Sequence, residues 1–199
     1  MISLFHADLF IEKNVGTPEQ QKELKDFLLS IPKSDKFKNM PRTNQGCSRF
    51  GFNLLKNSVD WLTEAKVKLT EKAISHYSPI DVMFNERLQQ HSKPYLKTHF
   101  KSWVNINEPG SKNVVHSHKP HMFASVYYLN GTGTGKVWFH NESNLLNDCS
   151  VLSPFVRRFG HTPKDGNLIL WPAWVPHDVE VNTSDRQRIN ITSNINVKR

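Results

Sequence analysis

The chain has little cysteine: Cys47 and Cys149 are the two in 199 residues, and they form no Cys-x-x-Cys pair. This argues against a disulfide-stapled scaffold and against a zinc-ribbon or thioredoxin-type site, and makes a reducing cytoplasm the expected location. No apolar run approaches the roughly 20 residues of a membrane span, so no membrane partner is expected. The opening MISLFHADLFIEKN carries Asp8 and Glu12 in or beside its apolar stretch and lacks the basic start of a secretory leader. Internal repeats, low-complexity segments and a convincing Ser/His/Asp or Cys/His set are missing as well. Long basic blocks are also missing, although the formal net charge is +8. That balance favours an anionic partner, whether nucleic acid, acidic polypeptide or small dianion. Nucleic acid has no recognition-helix or stacking-platform signature to support it.

The length suits one domain over residues 1–199, and a composition with 12 Phe, 5 Trp and 4 Tyr suits an aromatic-rich core. Residues 1–95 read as a helical and loop-rich support layer. PEQQKELKDFLLS at 18–30 places Leu24, Phe27 and Leu28 at helical spacing. A stretch rich in turn formers follows from Pro32 to Gly51. A second amphipathic segment covers about 59–77, with Trp61, Leu62, Ala65, Val67, Leu69 and Ile74 as its apolar stripe and Pro79 as its stop.

From residue 96 the period becomes strand-like. The runs are 97–107, 121–130, 136–141, 167–171 and 188–197, and Gly131, Gly133 and Gly135 mark the turn between the second and third. Short strands joined by Gly, Pro and Asn turns, with no helices between them, predict a mainly β fold with α. The expected architecture is an antiparallel jelly roll over 96–199 with the N-terminal helices packed on one sheet.

Chemistry concentrates in three histidines. His116 and His118 lie one residue apart, and on a strand such positions share a face. His177 follows a Trp-Pro turn, Trp171-Pro172-Ala173-Trp174-Val175-Pro176, whose prolines predict a rigid, extended approach. Three imidazoles suit Fe, Zn, Cu or Ni rather than Ca or Mg, and spacing alone does not choose among them. His121 competes with His118 as a ligand; His99, His140 and His161 read as surface or supporting residues. On the first strand Trp103, Asn105 and Asn107 share a face that could line the mouth of a substrate site. Arg157, Arg158 and His161 could form a basic rim.

The order of parts around these histidines resembles the 2-oxoglutarate and Fe(II)-dependent dioxygenase superfamily, especially its prolyl-hydroxylase-like branch and a group of uncharacterised oxygenases. The matching pieces are HSH at 116–118, SVYYLN at 125–130, GTGTGKVWF at 131–139, DGNLILWP at 165–172 and VPHDV at 175–179. The resemblance implies a double-stranded β-helix, Fe(II) and 2-oxoglutarate as cofactors, and hydroxylation of a substrate with release of succinate and CO₂. It also implies that a basic residue after the distal histidine binds the far carboxylate of 2-oxoglutarate. Arg188 is that residue here, with Arg186 as competitor, and Tyr128 would donate its hydroxyl to the same carboxylate. Strand parity then sets Asn190 and Thr192 beside Arg188.

The family pattern has an acidic residue where His118 stands. Two ligand sets follow: His116, His118 and His177 together, or a carboxylate (Asp178, Asp148 or Glu142) replacing His118. The substrate is unidentified, peptidyl or small molecule. A metal cupin that does not use 2-oxoglutarate, and a basic binding protein with a degenerate metal site, are the alternative functions.

Overall fold

The computed structural model describes residues 7–31, 43–52, 59–77, 97–141 and 158–198. In chain order these form β1 (Phe10–Glu12), α1 (Pro18–Ser30), β2 (Asn44–Phe52), α2 (Asp60–Tyr77), β3 (Lys97–His116), β4 (Phe123–Asn130), β5 (Val137–His140), β6 (Arg158–His161), β7 (Leu168–Pro172), β8 (His177–Val179) and β9 (Arg188–Lys198). The strands run β1-β7-β4-β9-β3-β8-β5-β6, with β2 paired on β3, and every ladder is antiparallel. This is the double-stranded β-helix expected from the sequence.

β3 joins the two halves of the sheet. Lys97–Asn107 pair with β9, while Asn113 and His116, across a register shift, pair with β8. The halves face each other: Val137, Phe139 and Val179 pack with Ala124, Tyr128, Ile169 and Trp171 from the larger half. The Gly131–Gly135 turn, expected between adjacent strands, instead carries the chain from one half to the other. β4 pairs with β7 and β9, whereas β5 pairs with β6 and β8.

Side-chain alternation divides the larger half into two faces. Val104 and Ile106 of β3, Tyr127 and Leu129 of β4, Leu168 and Leu170 of β7, and Ile189, Ile191 and Ile195 of β9 form one core with Leu24 and Leu28 of α1 and Leu62, Leu69 and Ala73 of α2. Each such Leu or Ile contributes about 1.5–3 kcal/mol on burial. α1 begins with a capping box in which Thr17 Oγ1 accepts from the Gln20 N–H and Gln20 Oε1 accepts from the Thr17 N–H, with Pro18 in the first turn.

Three expectations need correction. Phe27, counted in the α1 stripe, is 44% exposed. The α2 face turned to the sheet runs through Leu62, Lys66, Leu69, Thr70 and Ala73, leaving Trp61, Ala65, Val67 and Ile74 partly buried. The region read as helix and loop also contributes two strands. β2 falls in the stretch read as turn formers because it pairs on one side only and tolerates a bulge at Gly46, where φ is +75° between the shifted partners Gln45 and Cys47. Pro79 lies outside the described residues.

Lys66 is fully buried, its ammonium donating to Ser193 Oγ at 2.6 Å; Ser193 Oγ also meets Ser102 Oγ at 2.7 Å. Burial lowers the Lys66 pKa from 10.5 to about 7. Below pH 7 both the folded and the unfolded chain carry the proton, and the folded state bears the full cost of a buried charge. Between pH 7 and 10.5 only the unfolded chain holds it, so stability rises with pH over that window. Lys66→Met is therefore expected to stabilise the fold by about 2 kcal/mol at neutral pH and to flatten this rise. Urea denaturation at several pH values measures both effects.

Candidate active site

The β3–β8 register sets His116 directly opposite His177, their ring centroids 4.4 Å apart. His118 lies beyond the end of β3. Its backbone N–H donates to the Ala173 carbonyl at 2.8 Å, and its ring stands 5.0 Å from His177 and 5.3 Å from His116. The His-x-His spacing thus converges as expected, although only its first member is in a strand. One ring nitrogen of each histidine lies within 4.8 Å of the others.

The stretch before His177 is a turn, as its Trp-Pro sequence leads one to expect. The Val175 N–H donates to the Pro172 carbonyl at 3.0 Å, which reverses the chain between β7 and β8. His177 Nδ1 meets the Val175 carbonyl at 3.1 Å, and His116 Nδ1 meets that of Val114 at 2.8 Å. An imidazole that donates through Nδ1 keeps its Nε2 lone pair for a metal. Burial lowers all three pKa values: His116 below its usual 6.5, His118 to about 3, and His177 well below 6.5. The neighbouring imidazoles add to the effect at His118 and His177. The neutral form needed for metal ligation is thereby favoured.

Competing ligands are turned elsewhere. His121 Nδ1 meets Asn196 Nδ2 at 3.1 Å, and Asp178 Oδ2 meets His140 Nε2 at 2.6 Å. Glu142 and Asp148 lie outside the described residues, as does Arg157. The expected basic rim does not form from the rest: Arg158 stacks over Trp138 at 4.2 Å, His161 is buried in β6, and neither lines the cavity at the triad.

That cavity, about 280 Å³, lies on the face of the larger half opposite the helices. Trp103, Asn105 and Asn107 of β3, Tyr128 of β4, and Arg188, Asn190, Thr192 and Asn194 of β9 line it with the three histidines. The parity expected from the sequence therefore holds on both β3 and β9. Asn105 Nδ2 donates to Asn190 Oδ1 at 2.8 Å and to Thr192 Oγ1 at 2.9 Å, a network that orients the cavity floor. Sequence reasoning missed Arg49 of β2 as a lining residue; the alternation Ser48-Arg49-Phe50-Gly51-Phe52 was the available signal.

Arg188 is 1% exposed. Its Nη1 donates to the Thr134 carbonyl at 2.9 Å, and its buried Nη2 has no hydrogen-bond partner. The Gly-rich turn presents that carbonyl. The Gly131 and Thr132 N–H groups donate to Asp165 Oδ1 at 2.7 and 2.9 Å, fixing the turn. A Cβ at Gly131 would stand 2.9 Å from Tyr128 Cδ1, so a side chain there would displace the tyrosine. Burial raises the Tyr128 phenol pKa while the Arg188 charge opposes the rise. Arg186, the competitor, is exposed, donates to the Thr132 carbonyl at 2.6 Å and does not line the cavity.

No acidic side chain lines the cavity among the described residues. A buried guanidinium keeps its proton, and leaving it unpaired costs several kcal/mol, roughly, so the cavity is built to receive an anion. Three convergent nitrogens suit ferrous iron, and an unsatisfied buried cation suits a dianionic oxo acid. The residues present fit both groups.

Residues 101–194 match the model of a family described as "Putative 2OG-Fe(II) oxygenase". Among solved structures the chain resembles a prolyl-4-hydroxylase from Pseudomonas putida, at 14% identity and a TM-score of 0.59 over 96% of this chain and 93% of that one. It also resembles a Trichoplax adhaerens prolyl hydroxylase solved in complex with a hypoxia inducible factor oxygen degradation domain peptide fragment (15% identity, TM-score 0.60, 94% and 82% covered). A third is HygX from Streptomyces hygroscopicus, solved with nickel and 2-oxoglutarate bound (8%, 0.57, 94% and 82%). At these identities the likenesses show the fold. No curated protein sequence matches the chain.

Fold, triad and cavity together define a double-stranded β-helix oxygenase. The stretch that matches the 2-oxoglutarate- and Fe(II)-dependent oxygenase family carries the triad, Tyr128 and Arg188, the fold is shared with prolyl hydroxylases, and iron and 2-oxoglutarate are the cofactors that family and these donors call for.

His118→Ala and His177→Ala are each expected to weaken Co(II) binding, used as a spectroscopic stand-in for iron, by at least about 10- to 100-fold. His121→Ala should leave it within a factor of about 3, the usual spread for a residue outside a site. Absorbance titration of the metal-free protein distinguishes the two groups.

Proposed function

We propose that the protein hydroxylates a peptidyl residue, with His116, His118 and His177 holding Fe(II) and with Arg188, Tyr128 and Asn190 holding 2-oxoglutarate. The observation that carries this reading is the buried Arg188, whose Nη2 has no partner in a cavity it shares with the histidine triad. A metal cupin that does not use 2-oxoglutarate has no use for such a cation.

When bound, iron and 2-oxoglutarate supply the oxygen-activating chemistry that ends in succinate, CO₂ and a hydroxylated product. The protein's part is geometry and charge. Three imidazoles on one side of the metal leave the other positions for the oxo acid and O₂. Being neutral, they leave the ferrous charge to be balanced by the incoming dianion rather than by the protein. Arg188, whose Nη2 has no partner among the described residues, would hold the far carboxylate, and the Tyr128 hydroxyl would add a further donor. Asn190, held by Asn105, lies one step along the same face. Val126, Val137 and Trp171 close the apolar side of the cavity and limit water there.

Two things support a peptidyl substrate: the SVYYLN run, which resembles that of prolyl hydroxylases, and the peptide carried by the Trichoplax relative. A small-molecule substrate is the second reading, supported by the relative HygX, which was also solved with hygromycin B bound. A reducing cytoplasm is the compartment this chemistry calls for, since ferrous iron persists there.

Anaerobic titration of the Fe(II)-loaded protein with 2-oxoglutarate is expected to produce a metal-to-ligand charge-transfer band. Arg188→Ala should weaken 2-oxoglutarate binding by about 30- to 1,000-fold, as expected for truncating a buried charge pair, while iron content stays close to that of the wild type. Succinate formed by Arg188→Ala at the wild-type rate would refute the assignment. One-oxygen mass gain on candidate peptides, followed by mass spectrometry, separates peptidyl from small-molecule substrates.

A further inference from the structure

We propose that the cavity holds a second anion-binding position at its outer end, built from Arg49 on the face of Trp103, and that the substrate docks a carboxylate or phosphate group there. This rests on the iron and 2-oxoglutarate reading above, and it names the chemistry by which that site selects its substrate.

The strand register places Arg49 on the cavity side. It pairs with Asn105 of β3, whose side chain lines the cavity, while the neighbours Phe50 and Phe52 pack into the helix-side core. Its guanidinium carbon lies 4.1 Å from the centre of the Trp103 ring, and Trp103 stands 6.0 Å from the His118 ring. Arg49, Trp103 and His118 therefore lie in a row that ends at the histidine triad.

Unlike Arg188, Arg49 is half-buried, which puts it at the open end of the cavity. It makes no ion pair among the described residues, and no acid lines the cavity there. Packing on the indole explains a stacked arginine. It does not explain why the cation facing the cavity has no acidic partner among the described residues. A guanidinium stacked by its face keeps its N–H edge for a planar pair of oxygens, and stacking fixes where that edge points.

The charge balance points the same way. Three neutral imidazoles contribute nothing, so ferrous iron and Arg188 together exceed the oxo-acid dianion by one positive charge. Arg49 raises the excess to two before any substrate arrives. A carboxylate ligand in place of His118 would remove one of these. The filled site thus remains cationic, attracting an acidic substrate group and repelling a basic one.

The test uses the whole protein loaded with Mn(II) in place of iron and saturated with 2-oxoglutarate, so that Arg188 is occupied. Inorganic phosphate is titrated while its ³¹P line width is followed, and ¹³C-labelled acetate is titrated in a second arm. Saturable paramagnetic broadening of one or both is expected for the wild type, and the tighter arm names the anion. Arg49→Gln should weaken that binding at least about tenfold. Arg49→Lys, which keeps the charge and loses the planar stack, should fall between. Equal broadening in wild type and Arg49→Gln, or none in either arm, overturns the proposal. The charge-transfer band of the wild-type Fe(II) protein tests the underlying site separately. If the band is present without Arg49-dependent anion binding, only this inference fails; if the band is absent, the site reading itself fails.

Discussion

Arg188 carries a positive charge into a cavity where none of the described lining residues is acidic, and its Nη2 finds no partner among the described residues. Much of the surrounding structure maintains that situation. The Gly131–Gly135 turn offers the Thr134 carbonyl to one side of the guanidinium, and Asp165 pins the turn by accepting from its N–H groups. The acidic residue of the loop before β7 is thus engaged by the backbone of the Gly-rich turn. The cost of an unpaired buried charge is borne by the fold and recovered when an anion binds.

The architecture makes this affordable by assigning each strand two tasks. Along β9, Ile189, Ile191 and Ile195 enter the helix-side core, while Arg188, Asn190, Thr192 and Asn194 face the cavity. The apolar residues anchor the backbone, so the polar ones are held at fixed intervals by the sheet itself. Lys66, Thr70 and Ser193 are polar exceptions on the helix side, and Lys66 reaches Ser193 from α2. It ties the support layer to the strand that carries Arg188, at some cost in stability.

The second half of the chain was readable because its chemistry follows the two-residue period of strands. Arg188, Asn190, Trp103 and Asn105 all stand on the face that alternation assigned to them, and Tyr128, placed by the resemblance, lines the same cavity. The convergence of His116, His118 and His177 was readable too, with one difference of geometry: His118 lies beyond the end of its strand and is brought in by a backbone hydrogen bond to Ala173, while the turn after Trp171-Pro172 presents His177. The first half was harder. β2 is an edge strand, and its glycines and polar residues look like turn formers when pairing with β3 is invisible. On α2, burial of Lys66 and Thr70 follows from the helix's docking angle on the sheet, which no local pattern encodes.

β2 also lies outside the stretch that matches the family model, residues 101–194. The residues proposed to hold iron and 2-oxoglutarate all fall within that stretch, while Arg49 arrives from a separate strand laid along its edge. Inheritance of the two can therefore be uncoupled. A lineage could rewrite β2, and with it the kind of molecule admitted, while passing on the oxidative chemistry unchanged.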